Sequence, residues 1–197
     1  MIKHTILLTM MAAGMYGQVF EVGVHGGVSR LSGRNIGTIS TGAPGGGIQT
    51  TLEDGWRMGF RMTLNNWSFF AHEFGYAYNR TQLRFATTPP EESGMAIHQG
   101  LYNFLVYATP EGTKVRPFAT GGVHFSNFVP PGASVTQGGG SNKFGVNYGG
   151  GIKVRVTEMW GIRFDVREYL TGKPFDLPGA SGKLRHMEVS AGFSFMM

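Results

Sequence analysis

The chain has 197 residues, enough for one domain of ordinary size. It holds 32 Gly and only 15% charged residues, which argues against a helical bundle, because Gly weakens helices. The absence of Cys excludes a disulfide framework, a thiolate metal site and a lipid-anchored N-terminal cysteine. The net charge of +5 is modest and the basic residues are spread along the chain, so no nucleic-acid footprint is present.

The first 17 residues have the pattern of a cleaved signal peptide. Lys3 and His4 form a short positive start, an apolar run follows, and small residues come next, with cleavage expected after Gly14 or Gly17. The alternative is a buried N-terminal helix or strand. The run is too short to span a bilayer, and no later stretch of about 18 apolar residues exists. Residues 18–197 are therefore expected to form one exported domain.

Alternation of apolar and polar residues marks the strands. Trp56–Leu64 is the clearest case, with apolar side chains at every even position and Arg, Gly or Thr between them. The last strand has the same pattern and ends on an aromatic. Eight strands are predicted in all: Phe20–Val28, Trp56–Leu64, Trp67–Arg84, Ile97–Ala108, Val115–Phe128, Phe144–Val156, Trp160–Arg167 and Met187–Phe195. The faces of the fourth strand cannot be assigned, because both are rather apolar.

The links between these strands alternate in length. The short ones are Asn65-Asn66, Thr109–Gly112 and Thr157–Met159, and the long ones are rich in Gly, Ser or Pro. The longest, Arg30–Asp54, has no periodicity and is interpreted as a flexible loop. Alternating link lengths indicate an eight-stranded antiparallel up-and-down transmembrane β-barrel with short periplasmic turns and long extracellular loops. In lipid all backbone groups must be paired, so the last strand must close on the first.

Aromatic residues near the strand ends suggest two girdles at the lipid–water boundaries. The alternative is that strands simply favour aromatics. The set assigned to the short-turn rim is Phe20, Trp67, Trp160 and Phe195, and the set assigned to the long-loop rim is Trp56, Tyr78, Phe128, Phe144 and Tyr169.

Three segments resemble the small outer-membrane barrels of the OmpA-like and OmpX-like class. These are Arg116–Val123, Tyr148–Lys153 and the C-terminal pattern Val189-x-Ala191-x-Phe193-x-Phe195. In that class the last pattern is the signal read by the barrel-assembly machinery, although this chain carries Met196-Met197 after the aromatic. The resemblance implies a bacterial outer-membrane location, with membrane lipid, the assembly machinery and periplasmic chaperones as partners and a monomeric state.

The alternation directs many charged residues to one face of the strands, which the barrel would turn inward. An eight-stranded barrel is only wide enough for side chains to fill it, and unpaired charges there would be costly. The hypothesis is a structural charge network in the barrel interior, with Arg163 and Arg167 close to Glu188; a narrow ion path is the alternative. The predicted members are Glu21, Arg57, Arg61, Glu73, Lys153, Arg155, Arg163, Asp165, Arg167 and Glu188, with His186 on the same face.

Motifs for catalysis, metal binding or cofactors are absent from the sequence. The glycine runs at 45–47 and 138–140 are not followed by Lys-Ser/Thr, so they are not phosphate loops. His186 and Glu188 share a face and could suggest a lipid-cleaving site, but no spacing requires a nucleophile–base pair. His72, among apolar neighbours, is interpreted as an interfacial histidine.

Three functions are left open by the sequence. The first is an integral outer-membrane barrel with a structural or surface-interaction role and no open pore. The second is a lipid-modifying enzyme of the deacylase or acyltransferase kind. The third is a soluble exported barrel with an apolar ligand, which the charged inward faces disfavour.

Overall fold

The computed structural model describes residues 19–42, 46–133 and 140–197. The segment 1–17, predicted as a signal peptide, lies outside the described residues. All regular elements in these ranges are strands, with these bounds: β1 Val19–Ser32, β2 Asn35–Ser40, β3 Gly47–Leu52, β4 Gly55–Trp67, β5 Phe70–Phe85, β6 Glu91–Tyr107, β7 Val115–Val129, β8 Ser141–Arg155, β9 Trp160–Gly172 and β10 Lys183–Met196.

Eight of the strands close into a ring. Around it the order is β1, β4, β5, β6, β7, β8, β9 and β10, and every neighbouring pair is antiparallel. The first and last strands pair from Glu21↔Met196 to Ser32↔Arg185, which leaves the barrel no free edge. The prediction of a closed eight-stranded antiparallel barrel is therefore confirmed.

The seam between β1 and β10 continues to the end of the chain. Met197 N–H donates to the Phe20 carbonyl at 2.8 Å, and Phe20 N–H donates to the Met197 carbonyl at 3.2 Å. The two methionines that follow the terminal aromatic are thus part of the ring. We call the end that holds the start of β1, the end of β10 and the β4–β5, β6–β7 and β8–β9 links the terminal end, and the opposite end the loop end.

The prediction that Arg30–Asp54 is a flexible loop was wrong over much of its length. It contains the β2–β3 hairpin, and β3 also pairs with β5 from Thr50↔Phe85 to Leu52↔Leu83. Ile36 and Leu52 of the hairpin are almost fully buried. The short alternation was hidden by Gly37, which adopts a positive φ of 116° where the β2–β3 register shifts.

The predicted alternation of link lengths fails at one place. β6 begins at Glu91 rather than Ile97, so the β5–β6 link is residues 86–90, while the β6–β7 link at the terminal end is residues 108–114. Backbone pairing with β5 extends the start of β6 through polar residues such as Glu92 and Ser93. These side chains break the apolar pattern, which is why the sequence placed a longer loop here.

The two faces of the barrel wall differ in chemistry. Outward positions are mostly apolar, and on β6, which could not be oriented from sequence, Tyr102, Phe104 and Val106 point outward. Two predicted girdle aromatics, Phe128 and Tyr169, are instead buried inside. Side chains alternate between the two faces of a strand, and both residues occupy inward positions of β7 and β9. This alternation decides their location, whatever preference aromatic residues have for the lipid–water boundary. Within the described ranges, no helix is long and apolar enough to cross a bilayer.

Candidate functional site

The barrel lumen collects most of the predicted site residues. Arg155 is the exception, because it lies at the last position of β8 at the terminal end and remains partly exposed. The buried members are Glu21, Arg57, Arg61, Glu73, Lys153, Arg163, Asp165, Arg167 and Glu188.

Glu73 accepts charged hydrogen bonds from across the lumen. Its carboxylate lies 2.6 Å from Arg163 Nη1 and 2.7 Å from Arg167 Nη1. Glu73 is on β5 and both arginines are on β9, four places away in a ring of eight. These bridges therefore run across the full width of the barrel. Asp165, between the two arginines on β9, contacts a terminal nitrogen of each at 2.9 Å.

A second group of bridges centres on Glu188. Its carboxylate lies 3.1 Å from Arg57 Nε and 2.7 Å from Arg61 Nη2, and Arg61 Nη1 also reaches Asp165 at 2.7 Å. Both arginines come from β4, whereas Glu188 is on β10. β1 lies between these strands and presents Gly23 and Gly27 to the lumen, so the long side chains can pass over it.

Arg167 lies beside Glu188, as predicted, but among the described residues neither Arg163 nor Arg167 forms an ion pair with it. Arg167 faces Glu188 directly in the β9–β10 register, yet its guanidinium bonds Glu73 and Asp165. Arginine side chains are long enough to cross a narrow lumen. The neighbouring strand therefore does not decide which carboxylate a lumen arginine pairs with.

A third group lies nearer the terminal end. Lys153 Nζ contacts the Glu21 carboxylate at 2.6 Å and donates to Tyr107 at 2.9 Å, while Asn65 also donates to Glu21 at 3.0 Å. The guanidinium of Arg116 lies 3.7 Å from the centre of the Tyr107 ring, a cation–π geometry. Arg116 was not among the predicted site residues, although its inward parity with Phe118 could have identified it.

Neutral polar residues complete the network on the side of the loop end. Tyr169 donates to Glu188 at 2.7 Å and accepts from Arg57 at 3.0 Å, and Arg57 also donates to Gln99. Gln99 in turn donates to Ser126 at 2.9 Å. The sequence analysis missed both residues. It assigned Tyr169 to the aromatic girdle at the long-loop rim, and it could not orient the strand that contains Gln99.

An apolar cluster covers the network at the loop end, and we call it the apolar cap. It joins residues of the hairpin to inward residues of the barrel strands, with Phe85 and Phe175 packed against it. The sequence analysis did not predict it, since Ile36 and Leu52 lay in the supposed flexible loop. Its members are Leu31, Ile36, Leu52, Leu83, Met95, Ile97, Phe128 and Leu184.

Backbone and ionic contacts hold the hairpin in place. Thr38 N–H donates to the Pro178 carbonyl at 2.9 Å, and Arg34 bridges Glu53 at 3.1 Å and Asp54 at 2.9 Å. Lys173 Nζ donates to the carbonyls of Gly33 and Asn35. Partial burial lowers the pKa of Lys173 from its usual value, because desolvation disfavours the charged amine.

The lumen also contains a serine–histidine pair that the sequence did not reveal. Ser29 Oγ and His186 Nε2 are 2.7 Å apart, and the His186 ring stacks on Tyr169. Both residues are at most 2% exposed. Glu188, the nearest carboxylate in sequence, is occupied by Arg57, Arg61 and Tyr169. The pair therefore has hydrogen-bonding geometry, but both residues are closed off from solvent by their neighbours.

His25 borders a small cavity of about 20 Å³ beside Glu21 and Ser194, which has room for about one water molecule. Neither ring nitrogen of His25 has a hydrogen-bond partner among the described residues, so this site suits a bound water. Among all the residues that the structure describes, no group of three or more His, Asp or Glu side chains is placed to hold a metal ion.

The residues of the predicted assembly signal share the outward face of β10 beside the seam. Val189, Ala191, Phe193 and Phe195 pair with Val28, Gly26, Val24 and Val22 of β1. Phe195 packs edge-on against Trp160, with ring centres 5.1 Å apart. Their role in recognition stays a prediction. His72, also outward, bonds the Tyr102 hydroxyl at 2.8 Å.

Solved outer-membrane proteins share this architecture. OprG from Pseudomonas aeruginosa superposes with a TM-score of 0.61 at 14% identity, covering 90% of this chain and 95% of that one. AlkL, solved in lipid bilayers, gives 0.59 at 13% identity, covering 90% of each chain. Neisserial surface protein A gives 0.57 at 16% identity, covering 89% of this chain and 96% of that one. Identities this low show the fold alone.

The sequence itself identifies the family. No curated protein matches the chain. Residues 5–196 match the family described as the outer membrane protein beta-barrel domain, which is nearly the whole length. The chain therefore belongs to the outer membrane protein beta-barrel domain family, and it is a β-barrel of the bacterial outer membrane.

Proposed function

We propose that this protein is a non-conducting outer-membrane barrel that acts through its loop-end surface, in a structural or surface-interaction role. The observation that carries the proposal is the filled lumen. Bridges such as Arg163–Glu73 cross its full width, and the apolar cap covers it at the loop end. Ions would have to disrupt paired buried charges and then pass an apolar layer, both of which are costly.

Single-channel recording in planar lipid bilayers tests the closed lumen. The wild-type protein is expected to show no stable conductance. The triple variant Glu73→Ser/Arg163→Ser/Leu52→Ser removes both partners of one bridge and introduces a hydroxyl into the apolar cap, so it weakens both barriers and serves as the positive control. Steady channels from the wild type, of the same size as those of the variant, would contradict a closed barrel.

The second candidate function is lipid modification, and the Ser29–His186 pair is the observation that favours it. Two features weigh against it: both residues are buried beneath the apolar cap, and the nearest carboxylate is engaged elsewhere. We expect lipid A from cells producing the wild type, the Ser29→Ala variant or no barrel to have the same acyl chains by mass spectrometry. An acyl change that requires Ser29 would establish the enzymatic alternative instead.

A further inference from the structure

The outward face of the barrel carries arginines at a fixed distance from its aromatic rim. Arg30 lies ten residues after Phe20 on β1, Arg80 ten residues after Phe70 on β5, and Arg185 ten residues before Phe195 on β10. A tilted strand crosses the hydrocarbon core in about 9–11 residues. If the aromatics mark the boundary at the terminal end, these arginines lie at the headgroup level of the outer leaflet.

Two of these arginines are neighbours at the seam. Arg30 pairs with Met187 and Ser32 with Arg185, so Arg30 and Arg185 are diagonal neighbours on one face, about 7–8 Å apart at the Cα atoms. Val28, Met187 and Val189 lie directly below them on the same face and are exposed to the membrane. The pair therefore sits at the upper edge of the apolar band.

The charges of this pair are only partly balanced by the protein. Arg185 Nε bonds Glu168 at 2.5 Å, and Tyr148 donates to the same carboxylate at 2.5 Å, so one carboxylate is shared between the guanidinium and a hydroxyl. Its side chain is 56% exposed. Arg30 has no carboxylate partner within the described ranges, whereas each buried arginine or lysine predicted for the lumen network has one.

The two guanidinium groups repel each other, and of the two only Arg185 has a carboxylate partner among the described residues. At headgroup level the available anion is a lipid phosphate, which arginine binds with charged, bidentate hydrogen bonds. We propose that Arg30 and Arg185 form a binding site for the phosphate group of an outer-leaflet lipid, with Glu168 positioning Arg185. Lys183, the next outward residue on β10, extends the same basic edge.

The other unpaired cations fit this proposal less well. Arg84 pairs in register with Glu92, whose carboxylate offsets its charge locally. Lys114 lies in the β6–β7 link at the terminal end. The double variant Arg84→Ala/Lys114→Ala therefore removes the same total charge from exposed positions outside the site, and it is the matched control.

The test is a titration of the full protein in zwitterionic detergent micelles with diphosphorylated lipid A, followed by the NMR signals of the arginine Nε–H groups. We expect saturable shifts of the Arg30 and Arg185 signals. The Arg30→Ala/Arg185→Ala variant should bind at least about tenfold more weakly, since it removes both charged hydrogen-bond donors to the phosphate, while the control variant stays within about twofold. Heat modifiability on a gel confirms folding, and Arg30→Gln/Arg185→Gln replaces the Ala variant if that one does not fold.

Several outcomes would overturn the proposal. Equal weakening in both double variants would mean diffuse attraction rather than a site. Equal shifts with dephosphorylated lipid A would exclude phosphate as the recognised group. Equally tight binding of inorganic phosphate would point to a soluble anion, and displacement of the lipid by heparin at equal charge concentration would favour an acidic glycan partner.

Discussion

At the scale of single residues, the lumen depends on a few carboxylates that each serve more than one cation. Glu73 is fully buried and is shared by Arg163 and Arg167. Glu188 is shared by Arg57 and Arg61. Removing such a carboxylate leaves two buried guanidinium groups without their shared partner, so the cost should exceed that of losing one ordinary surface pair.

The variant Glu73→Gln is expected to lower the free energy of unfolding by about 3–5 kcal/mol, because it leaves buried positive charge uncompensated. Urea-induced unfolding in lipid vesicles measures this change. Glu92→Gln, an exposed glutamate on β6, is the control and should stay within about 0.5 kcal/mol. Equal stability of Glu73→Gln and the wild type would mean that the network does not stabilise the barrel.

The sequence could predict which residues face the lumen, but it could not predict their partners. Parity along a strand assigns Arg163, Asp165 and Arg167 to one face without any three-dimensional information. Whether Arg167 bonds Glu188 or Glu73 depends on the lumen width and on the distances from the β4 arginines to Glu188. Those quantities arise only once the ring has closed.

At the scale of elements, the β2–β3 hairpin is the addition that distinguishes this chain from a plain eight-stranded barrel. Its Ile36 and Leu52 side chains are buried in the apolar cap. The sequence analysis missed it because six-residue strands interrupted by glycine produce little periodicity. The eight barrel strands were predictable because each carries a long alternation imposed by lipid on one side.

The variant Leu52→Ala should lower the free energy of unfolding by about 2–5 kcal/mol, because it creates a cavity in the apolar cap. It should also make the hairpin more sensitive to added protease, and faster trypsin cleavage at Arg34, the residue just before β2, would report this. Ile39→Ala in the same hairpin is the control, since that side chain is 39% exposed. Equal protease resistance of both variants would show that the cap does not hold the hairpin.

At the scale of the whole molecule, the barrel reverses the arrangement of a soluble protein, with charged residues inside and apolar residues outside. Arginine, glutamate and aspartate fill its centre, while valine, phenylalanine and methionine cover its outside. Such a surface is stable only in lipid, which agrees with the family to which the chain belongs. Composition, alternation and link lengths were sufficient to predict this arrangement.

The variant Val166→Arg tests the lipid-facing surface. Val166 is exposed on β9 between the aromatic rim and Glu168, and an arginine there should cost about 2–4 kcal/mol in lipid vesicles. Met159→Arg, in the β8–β9 link at the terminal end, should cost only about 0–1 kcal/mol. A negligible cost at Val166 would mean that this face contacts water.

The bridges that cross the lumen also constrain how the barrel can assemble. Lys153 and Glu21 are 132 positions apart, Arg61 and Glu188 127, and Arg163 and Glu73 90. No contiguous half of the chain contains both members of all these pairs, so a half-formed ring would expose charges that lack their partners. We expect folding to be all-or-none, with few stable intermediates, and contacts of such long sequence separation should make it slow. The same pairs favour the correct register of the last strand, since closure of β10 on β1 is what brings Glu188 to Arg57 and Arg61.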